Sequence, residues 1–160
     1  MQVGVSGHQR LQDPERWDWV QQEMRNCLIS LAPSIVGVTS LAIGADTMFA
    51  QMVLDLGGSL IVIVPFSDYE KRFETESGRQ DYRNLLDRAA IIEVLERQAS
   101  DEEGYYTAGK RVADLSELLV VVWNGKPAAG LGGTADIVEY ARLQQKQIIH
   151  LNPETRTVAY

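Results

Sequence analysis

Cysteine and histidine are nearly absent from this 160-residue chain, which contains one cysteine, Cys27, and two histidines, His8 and His150. A single cysteine forms no intrachain disulfide and no cysteine-ligated metal cluster. The two histidines are far apart in sequence, which argues against a zinc site because such sites combine several ligands. We therefore expect neither a metal ion nor another cofactor. Cys27 falls on an apolar helical stripe, which favours a role in core packing.

The chain also lacks a long hydrophobic run. No apolar stretch approaches the roughly 20 residues that a membrane-spanning helix requires. Residues 1–5 enter a strand-like segment without the basic region and cleavage site of a signal peptide. We therefore expect a cytoplasmic protein without a membrane partner.

Lysine is scarce, and acidic residues outnumber basic ones, so the formal net charge is −7 and the isoelectric point is about 4.8. The lysines are Lys71, Lys110, Lys126 and Lys146. This balance argues against broad nucleic-acid binding, which usually requires a basic face that displaces counterions. It does not exclude a small anion, because one helix N-terminus and one or two arginines can hold a phosphate in an acidic protein.

Strand-like apolar runs alternate with helical patterns, which predicts parallel β-α-β units with right-handed crossovers. The expected strands are residues 3–7, 35–40, 60–64, 91–95, 118–123 and 147–151. The expected helices are residues 14–31, 45–56, 68–73, 79–88, 101–116 and 134–145. We predict an α/β fold: one Rossmann-like, doubly wound domain over residues 1–160. Its mainly parallel sheet would have about six strands with helices on both faces, and residues 152–160 would form a polar tail.

The first candidate site segment follows the first strand. Ligands of doubly wound folds bind beyond the carboxyl ends of the strands, so the loops after strands are the places to search. Gly7 permits a tight turn there, and His8 and Arg10 would then face this edge. The alternative is an ordinary turn with a solvated arginine.

The next two strands also end in candidate ligand-binding residues. Gly44 lets the backbone approach a ligand, and exposed amides at the start of the following helix, beside Ala45, suit an anion. Asp46 is either a ligand contact or a partner of the helix dipole, and the sequence leaves both open. Pro65 and Phe66 end the third strand at the same edge.

A glycine-rich loop connects the most apolar strand to the last helix. Consecutive glycine amides and a threonine that caps the helix can hold a phosphate. The residues expected to contact the ligand are Trp123, Gly125, Lys126, Gly132, Gly133 and Thr134. Neither G-x-G-x-x-G nor G-x-x-x-x-G-K-[ST] is present, so the dinucleotide and P-loop fingerprints are missing. The alternative is that these glycines only shorten a turn.

Two parts of the chain resemble known families. Residues 40–56, with Gly44, Asp46 and the turn at residues 57–58 into the strand at 60–64, resemble the Gly-x-Asp helix and following strand of the DNA-processing protein A group. Arg111 and residues 116–134 resemble the second half of the cytokinin-activating phosphoribohydrolases, formerly called lysine-decarboxylase-like. Both groups belong to the Smf/LOG (SLOG) superfamily of Rossmann-like proteins, which the chain resembles from Val3 to Leu151.

The resemblance implies a nucleotide-type ligand and, in the phosphoribohydrolase branch, hydrolysis of the bond between base and ribose. That branch uses an arginine and the glutamate of the motif P-G-G-x-G-T-x-x-E for catalysis. Arg111 matches the arginine, whereas Ile137 stands where the glutamate is expected. Asp136 lies one position early, so Arg111 and Asp136 are the candidate catalytic residues. Asp136 could equally be a partner of the helix dipole.

Three functions therefore compete. The leading hypothesis is a module that binds a nucleotide or a nucleotide-derived phosphorylated ligand, and the missing glutamate favours it. The alternative is a phosphoribohydrolase that acts on nucleoside 5′-monophosphates, and the third is an interaction scaffold. A homodimer is also a candidate, because relatives commonly form homodimers and the apolar Trp17 and Trp19 near one helix start could contribute.

Overall fold

A computed structural model describes residues 1–160 as a seven-stranded sheet flanked by helices. The strands are β1 (Gln2–Gly7), β2 (Val36–Thr39), β3 (Ser59–Val64), β4 (Ile91–Val94), β5 (Leu118–Val122), β6 (Gln147–Asn152) and β7 (Thr157–Ala159). The helices are α1 (Arg16–Leu31), α2 (Ala45–Asp55), α3 (Glu76–Asp87), α4 (Asp101–Leu115) and α5 (Thr134–Leu143), and a 3₁₀ turn covers Tyr69–Arg72. The predicted α/β, Rossmann-like architecture is confirmed.

The strand order creates a crevice at one edge of the sheet. The order is β4-β3-β2-β1-β5-β6-β7, and β1 to β6 are parallel. β2, β3 and β4 follow one another on one side of β1. β5 pairs with β1 on the other side, with Gly7 opposite Val122. Because the winding direction reverses there, the loops after β1 and β5 diverge and leave room for a ligand.

Both faces of the sheet are covered. On one face Val62 belongs to a buried cluster with Phe49 of α2, and on the other Ile63 clusters with Val112 of α4 and Ile137 of α5. All five residues of β5 are buried. Burial on both faces explains why β5 and, after Ser59, β3 are continuously apolar, without the alternation of a half-exposed strand.

The polar tail is partly structured, which corrects the prediction for residues 152–160 and raises the strand count from about six to seven. β7 pairs antiparallel with β6, with His150 opposite Ala159 and Asn152 opposite Thr157. A three-residue strand with one half-buried side chain, Val158, carries too little apolar patterning to be recognised in sequence.

Two helices begin differently from the sequence prediction. The helix predicted from residue 14 begins only at Arg16, because residues 13–15 form a turn in which the Glu15 amide donates to Asp13 Oδ1. Thr134 was expected to cap α5, but Gly133 occupies the cap position and Thr134 is the first helical residue. No helix combines the length and the apolar character needed to cross a bilayer.

Candidate functional site

A cavity of about 630 Å³ opens at the carboxyl edge of the sheet, where the loops after β1, β2, β3 and β5 meet. Small-molecule sites usually enclose about 300–1,000 Å³. Gly7 of β1 lies at the floor, and α4 and α5 contribute small or apolar residues such as Ala108, Gly109 and Ile137. The cavity therefore has the position and size of a ligand site.

One end of the cavity is the N-terminus of α5. The amides of Gly133, Thr134 and Ala135 line this end and donate to no acceptor in the protein. The amide of Gly132 is not available, because it donates to Asp136 Oδ2 at 2.9 Å. Three unpaired amides and the positive end of the helix dipole suit an anion.

Gly132 allows the glycine loop to approach α4. Its φ is +85°, and a Cβ there would lie 2.9 Å from both the Glu102 oxygen and the Tyr106 nitrogen of the α4 backbone. A side chain would therefore meet both steric clash and an unfavourable backbone conformation. The glycine holds the loop against α4 and so determines where the α5 amides point.

His8 joins the loop after β1 to the loop after β5. Its amide donates to the Val122 carbonyl at 3.0 Å, and its Nε2 accepts from the Asn124 amide at 3.1 Å. Burial lowers the pKa of His8 below its ordinary value of 6.5. Because Nε2 accepts this bond, the ring is neutral and carries its proton on Nδ1. His8 therefore braces the two loops across the crevice.

Asp46 is a buried carboxylate at the cavity wall. It is 7% exposed, and its Oδ2 accepts from the Thr39 hydroxyl at 3.1 Å and the Ser40 amide at 3.2 Å. Burial raises the pKa of Asp46 from 3.8 to about 6. No lysine, arginine or histidine forms a salt bridge with it. A buried acid without a cation beside a cavity is typical of functional sites.

The segment after β3 gives the cavity an aromatic end. Tyr69, Phe73 and Tyr105 line it, and the Tyr69 ring lies 5.2 Å from Phe73 and 6.2 Å from Tyr105, centroid to centroid. Tyr69 is 6% exposed, yet its hydroxyl has no hydrogen-bond partner in the protein. No fully enclosed polar side-chain atom lacks a partner, so this hydroxyl opens into the cavity.

Two exposed ion pairs stand at the cavity. Arg10 contacts Glu74 at 2.7 Å, which joins the loop after β1 to the segment before α3. Lys126 contacts Glu154 at 3.2 Å, and its carbonyl accepts from Trp123 Nε1 at 2.8 Å. Exposed pairs of this kind contribute at most about 1 kcal/mol, so an anionic ligand can compete for both cations.

Most residues that the sequence nominated for ligand binding lie around this cavity. Those that line it are Gly7, His8, Arg10, Asp46, Pro65, Trp123, Lys126, Gly132, Gly133 and Thr134. They come from four separate loops, so the placement follows from the strand order.

Four nominated ligand residues do not line the cavity. A Cβ at Gly44 would lie 2.7 Å from the His8 carbonyl oxygen, and the Ala45 amide donates to the same oxygen. Gly44 and Ala45 thus approach the loop after β1 where a ligand was expected, and the protein blocks the α2 N-terminus. Phe66 is fully buried in the core, and Gly125, with φ +81°, forms a turn outside the cavity.

The two candidate catalytic residues are also paired within the protein. Arg111 Nε donates to Glu93 Oε2 at 3.0 Å on the outer side of α4, and Asp136 bonds back to Gly132. Neither residue lines the cavity. The local pattern placed each on a helix near the site but could not show which way its side chain points.

Sequence analysis missed the aromatic end. Tyr69, Phe73 and Tyr105 were not nominated, although the first two follow β3 and the same search of loops after strands applied to them. Arg72 and Ser40 also line the cavity and were overlooked. Charged residues dominate the segment at 67–79, which hid its apolar face.

Similarity searches connect the chain to solved structures only. No protein-family model and no curated protein matches it. DNA processing protein A (DprA) from Streptococcus pneumoniae superimposes with a TM-score of 0.67 over 93% of this chain at 15% identity. DprA from Helicobacter pylori, whose structure concerns a single-stranded DNA binding mode, gives a TM-score of 0.65 over 94% at 16% identity. The Chlamydomonas Moco carrier protein gives 0.56 over 96% at 18% identity.

These neighbours show a shared fold, as the resemblance to the DNA-processing protein A group implied. The chain matches 49% of the Streptococcus DprA chain, 64% of the Helicobacter one and 78% of the Moco carrier protein. It therefore spans about half to two thirds of the DprA chains. A specific likeness to the phosphoribohydrolases is not among these findings.

The prediction of no broad nucleic-acid binding is wrong as an exclusion. It rested on the net charge of −7, but the same fold occurs in the Helicobacter protein that binds single-stranded DNA. Net charge averages over the whole surface, whereas binding depends on the local arrangement of cations and amides at one edge.

The nominated dimer residues, Trp17 and Trp19 of α1, are half-buried and pack against the core cluster. A homodimer remains a prediction.

Proposed function

We propose that this domain binds a nucleotide or a nucleotide-derived phosphorylated ligand in the cavity at the carboxyl edge of its sheet. The observation that carries the proposal is one cavity with unpaired amides at one end and aromatic rings at the other. A nucleotide has the same two chemical ends, a phosphate and a flat base.

The amides of Gly133, Thr134 and Ala135 support phosphate binding. Backbone amides at a helix start donate directly to phosphate oxygens, and the helix dipole adds to the attraction. Lys126, in the loop between β5 and α5, also lines the cavity, and its exposed pair with Glu154 can exchange for a phosphate. Arg10 offers a second cation at the cavity mouth.

The aromatic end supports base binding. Tyr105 is partly exposed and lines the cavity above the buried rings of Tyr69 and Phe73. Stacking on an aromatic ring contributes about 1–3 kcal/mol per base and accepts any base. The proposal therefore specifies the class of ligand and leaves the base open.

Phosphoribohydrolase activity, the alternative, has less support. Arg111 is paired with Glu93 and Asp136 with the Gly132 amide, and both lie outside the cavity. Single-stranded DNA is a second candidate ligand, supported by the Helicobacter DprA neighbour. A strand of DNA offers the same phosphates and bases as a free nucleotide.

A thermal-shift panel tests the proposal. A ligand at a hundred times its Kd stabilises the native state by about 2.7 kcal/mol, and each kcal/mol raises the melting midpoint by roughly 2–4 °C for a domain of this size. Mono-, di- and cyclic nucleotides, phosphoribosyl metabolites and a thymidine oligonucleotide form the panel. We expect at least one nucleotide to raise the midpoint by several degrees. A midpoint unchanged by every saturating compound contradicts the proposal.

Thr134→Pro locates the phosphate. Proline is favoured at the first helical position and removes one amide donor there, and Gly133 already has the extended conformation (φ −70°, ψ 169°) that must precede proline. We expect about ten-fold weaker nucleotide binding with unchanged stability. Glu76→Pro makes the same change at the first residue of α3, outside the cavity, after the extended Thr75, and should leave binding unchanged.

A further inference from the structure

The parts of the cavity follow one another in strand order. The α5 amides follow β5, Asp46 follows β2, and the aromatic segment follows β3, with β1 between β5 and β2. Neighbouring strands lie about 4.8 Å apart, so β5 and β3 are separated by about 14 Å. A nucleotide with its phosphate at α5 and its base at the aromatic end passes its sugar over the end of β2.

Asp46 is the buried acid at that intermediate position. Its carboxylate accepts from the Thr39 hydroxyl and from the Ser40 and Ala42 amides, which fix its direction and leave part of its acceptor capacity for a ligand. It lines the cavity, is more than nine-tenths buried and lacks a cationic partner. A carboxylate held in this way accepts hydrogen bonds from neutral donors such as sugar hydroxyls.

Tyr69 supplies an independent observation at the same place. Its side chain is more than nine-tenths buried, and its hydroxyl opens into the cavity without a protein partner. Tyr69 follows β3, the neighbour of β2 in the sheet, and lines the same cavity as Asp46. A free hydroxyl beside a carboxylate offers a donor and an acceptor to one ligand group.

We propose that Asp46 and Tyr69 bind the vicinal ribose hydroxyls, so that the site selects ribonucleotides over 2′-deoxyribonucleotides. One sugar hydroxyl donates to Asp46, and the Tyr69 hydroxyl bonds to the other. Carboxylates near the second strand of dinucleotide-binding folds recognise ribose by the same chemistry. This inference rests on the proposed nucleotide binding and adds the sugar to it.

Isothermal titration calorimetry with AMP, GMP, CMP and UMP and their 2′-deoxy counterparts tests the inference in the wild-type protein. A hydrogen bond to a charged group contributes about 1.5–3 kcal/mol, so we expect at least about ten-fold tighter binding of the ribose form of whichever base binds. Equal affinity of the two forms overturns the sugar assignment and leaves nucleotide binding intact. Failure of all these compounds to bind overturns the sugar assignment, and it overturns nucleotide binding as well when the wider thermal-shift panel also gives no shift.

Variants assign the selectivity to residues. Asp46→Asn keeps an acceptor for the β2–α2 loop but replaces one carboxylate oxygen by a donor, so the ribose preference should fall to about three-fold or less. Tyr69→Phe removes only the hydroxyl and should weaken ribonucleotide binding about three- to ten-fold. Asp55→Asn, at the exposed far end of α2, should leave the ratio unchanged. A folded Asp46→Asn protein that keeps the full preference overturns the role of Asp46.

Discussion

The Gly132 amide donates a 2.9 Å hydrogen bond to the carboxylate of Asp136, four residues further along the chain. This bond closes the glycine-rich loop onto the first turn of α5. It uses the amide and the carboxylate that sequence reasoning had assigned to a ligand. The bond also sets the direction of the neighbouring Gly133, Thr134 and Ala135 amides, which remain free.

Asp136→Ala should destabilise the domain by about 1–2 kcal/mol, because it removes both the bond to Gly132 and a favourable charge at the helix start. Asp18→Ala is the matched control: Asp18 is exposed in the first turn of α1 and should lose only the dipole contribution, about 0.5 kcal/mol. Urea unfolding measures both. Equal losses in the two variants would show that the Gly132 bond contributes nothing.

Gly44→Ala should destabilise the protein more than Gly57→Ala. Both glycines have positive φ, +83° and +80°, and Gly44 also has a ψ of −121°, a combination that only glycine adopts readily, so alanine is strained at both positions and more so at Gly44. A Cβ at Gly44 also meets the carbonyls of His8 and Gln9, whereas one at Gly57 meets nothing within 4 Å. We expect the excess loss for Gly44 to be about 1 kcal/mol or more in urea unfolding. Equal losses of stability in the two variants would contradict the close approach of α2 to the loop after β1.

Arg111→Ala should leave nucleotide affinity unchanged, because Arg111 pairs with Glu93 outside the cavity. The pair is partly exposed, so its loss should lower stability by less than about 1 kcal/mol. Calorimetric titration with the nucleotide that gives the largest thermal shift measures the affinity. A ten-fold loss of nucleotide affinity would indicate that Arg111 contacts the ligand and would support the phosphoribohydrolase hypothesis.

Asp46 should make stability depend on pH between about 4 and 6. Its pKa is about 6 in the folded protein against an ordinary 3.8, so the folded state retains a proton that the unfolded state has released. The contribution of Asp46 to stability therefore falls as pH rises through this range and levels off above it. The free energy of unfolding of Asp46→Asn minus that of wild type should increase by on the order of 2–3 kcal/mol from pH 4 to pH 7.

Urea unfolding of Asp46→Asn and wild type at both pH values measures this change. Asp55→Asn serves as the control, since Asp55 is an exposed acid on the same helix. A difference between Asp46→Asn and wild type that stays constant with pH would contradict the raised pKa. The lowered pKa of His8 acts on both proteins alike and cancels in the comparison: it makes each less stable as pH falls below about 6.5.

Much of the fold was predictable because buried parallel strands have no exposed face. The apolar runs of β3 and β5, and the glycines that end several helices and strands, specify these elements locally. β7 was not predictable, since Thr157–Ala159 acquires strand geometry only by pairing with β6. The rule that ligands bind beyond the carboxyl ends of strands located ten of the cavity residues. It missed Tyr69 and Tyr105, which lie in segments rich in charged residues.

The sequence by itself determined the order of strands and helices and the edge of the sheet at which a site can form. The tertiary structure alone decided which carboxylate faces that site. Asp46 and Asp136 both occupy the first turn of a helix that follows a glycine with positive φ within a few residues. Gly44 is pressed against the loop after β1, and Gly132 against α4. These long-range contacts turn Asp46 into the cavity and Asp136 back to its own loop, because loop direction depends on what each glycine packs against.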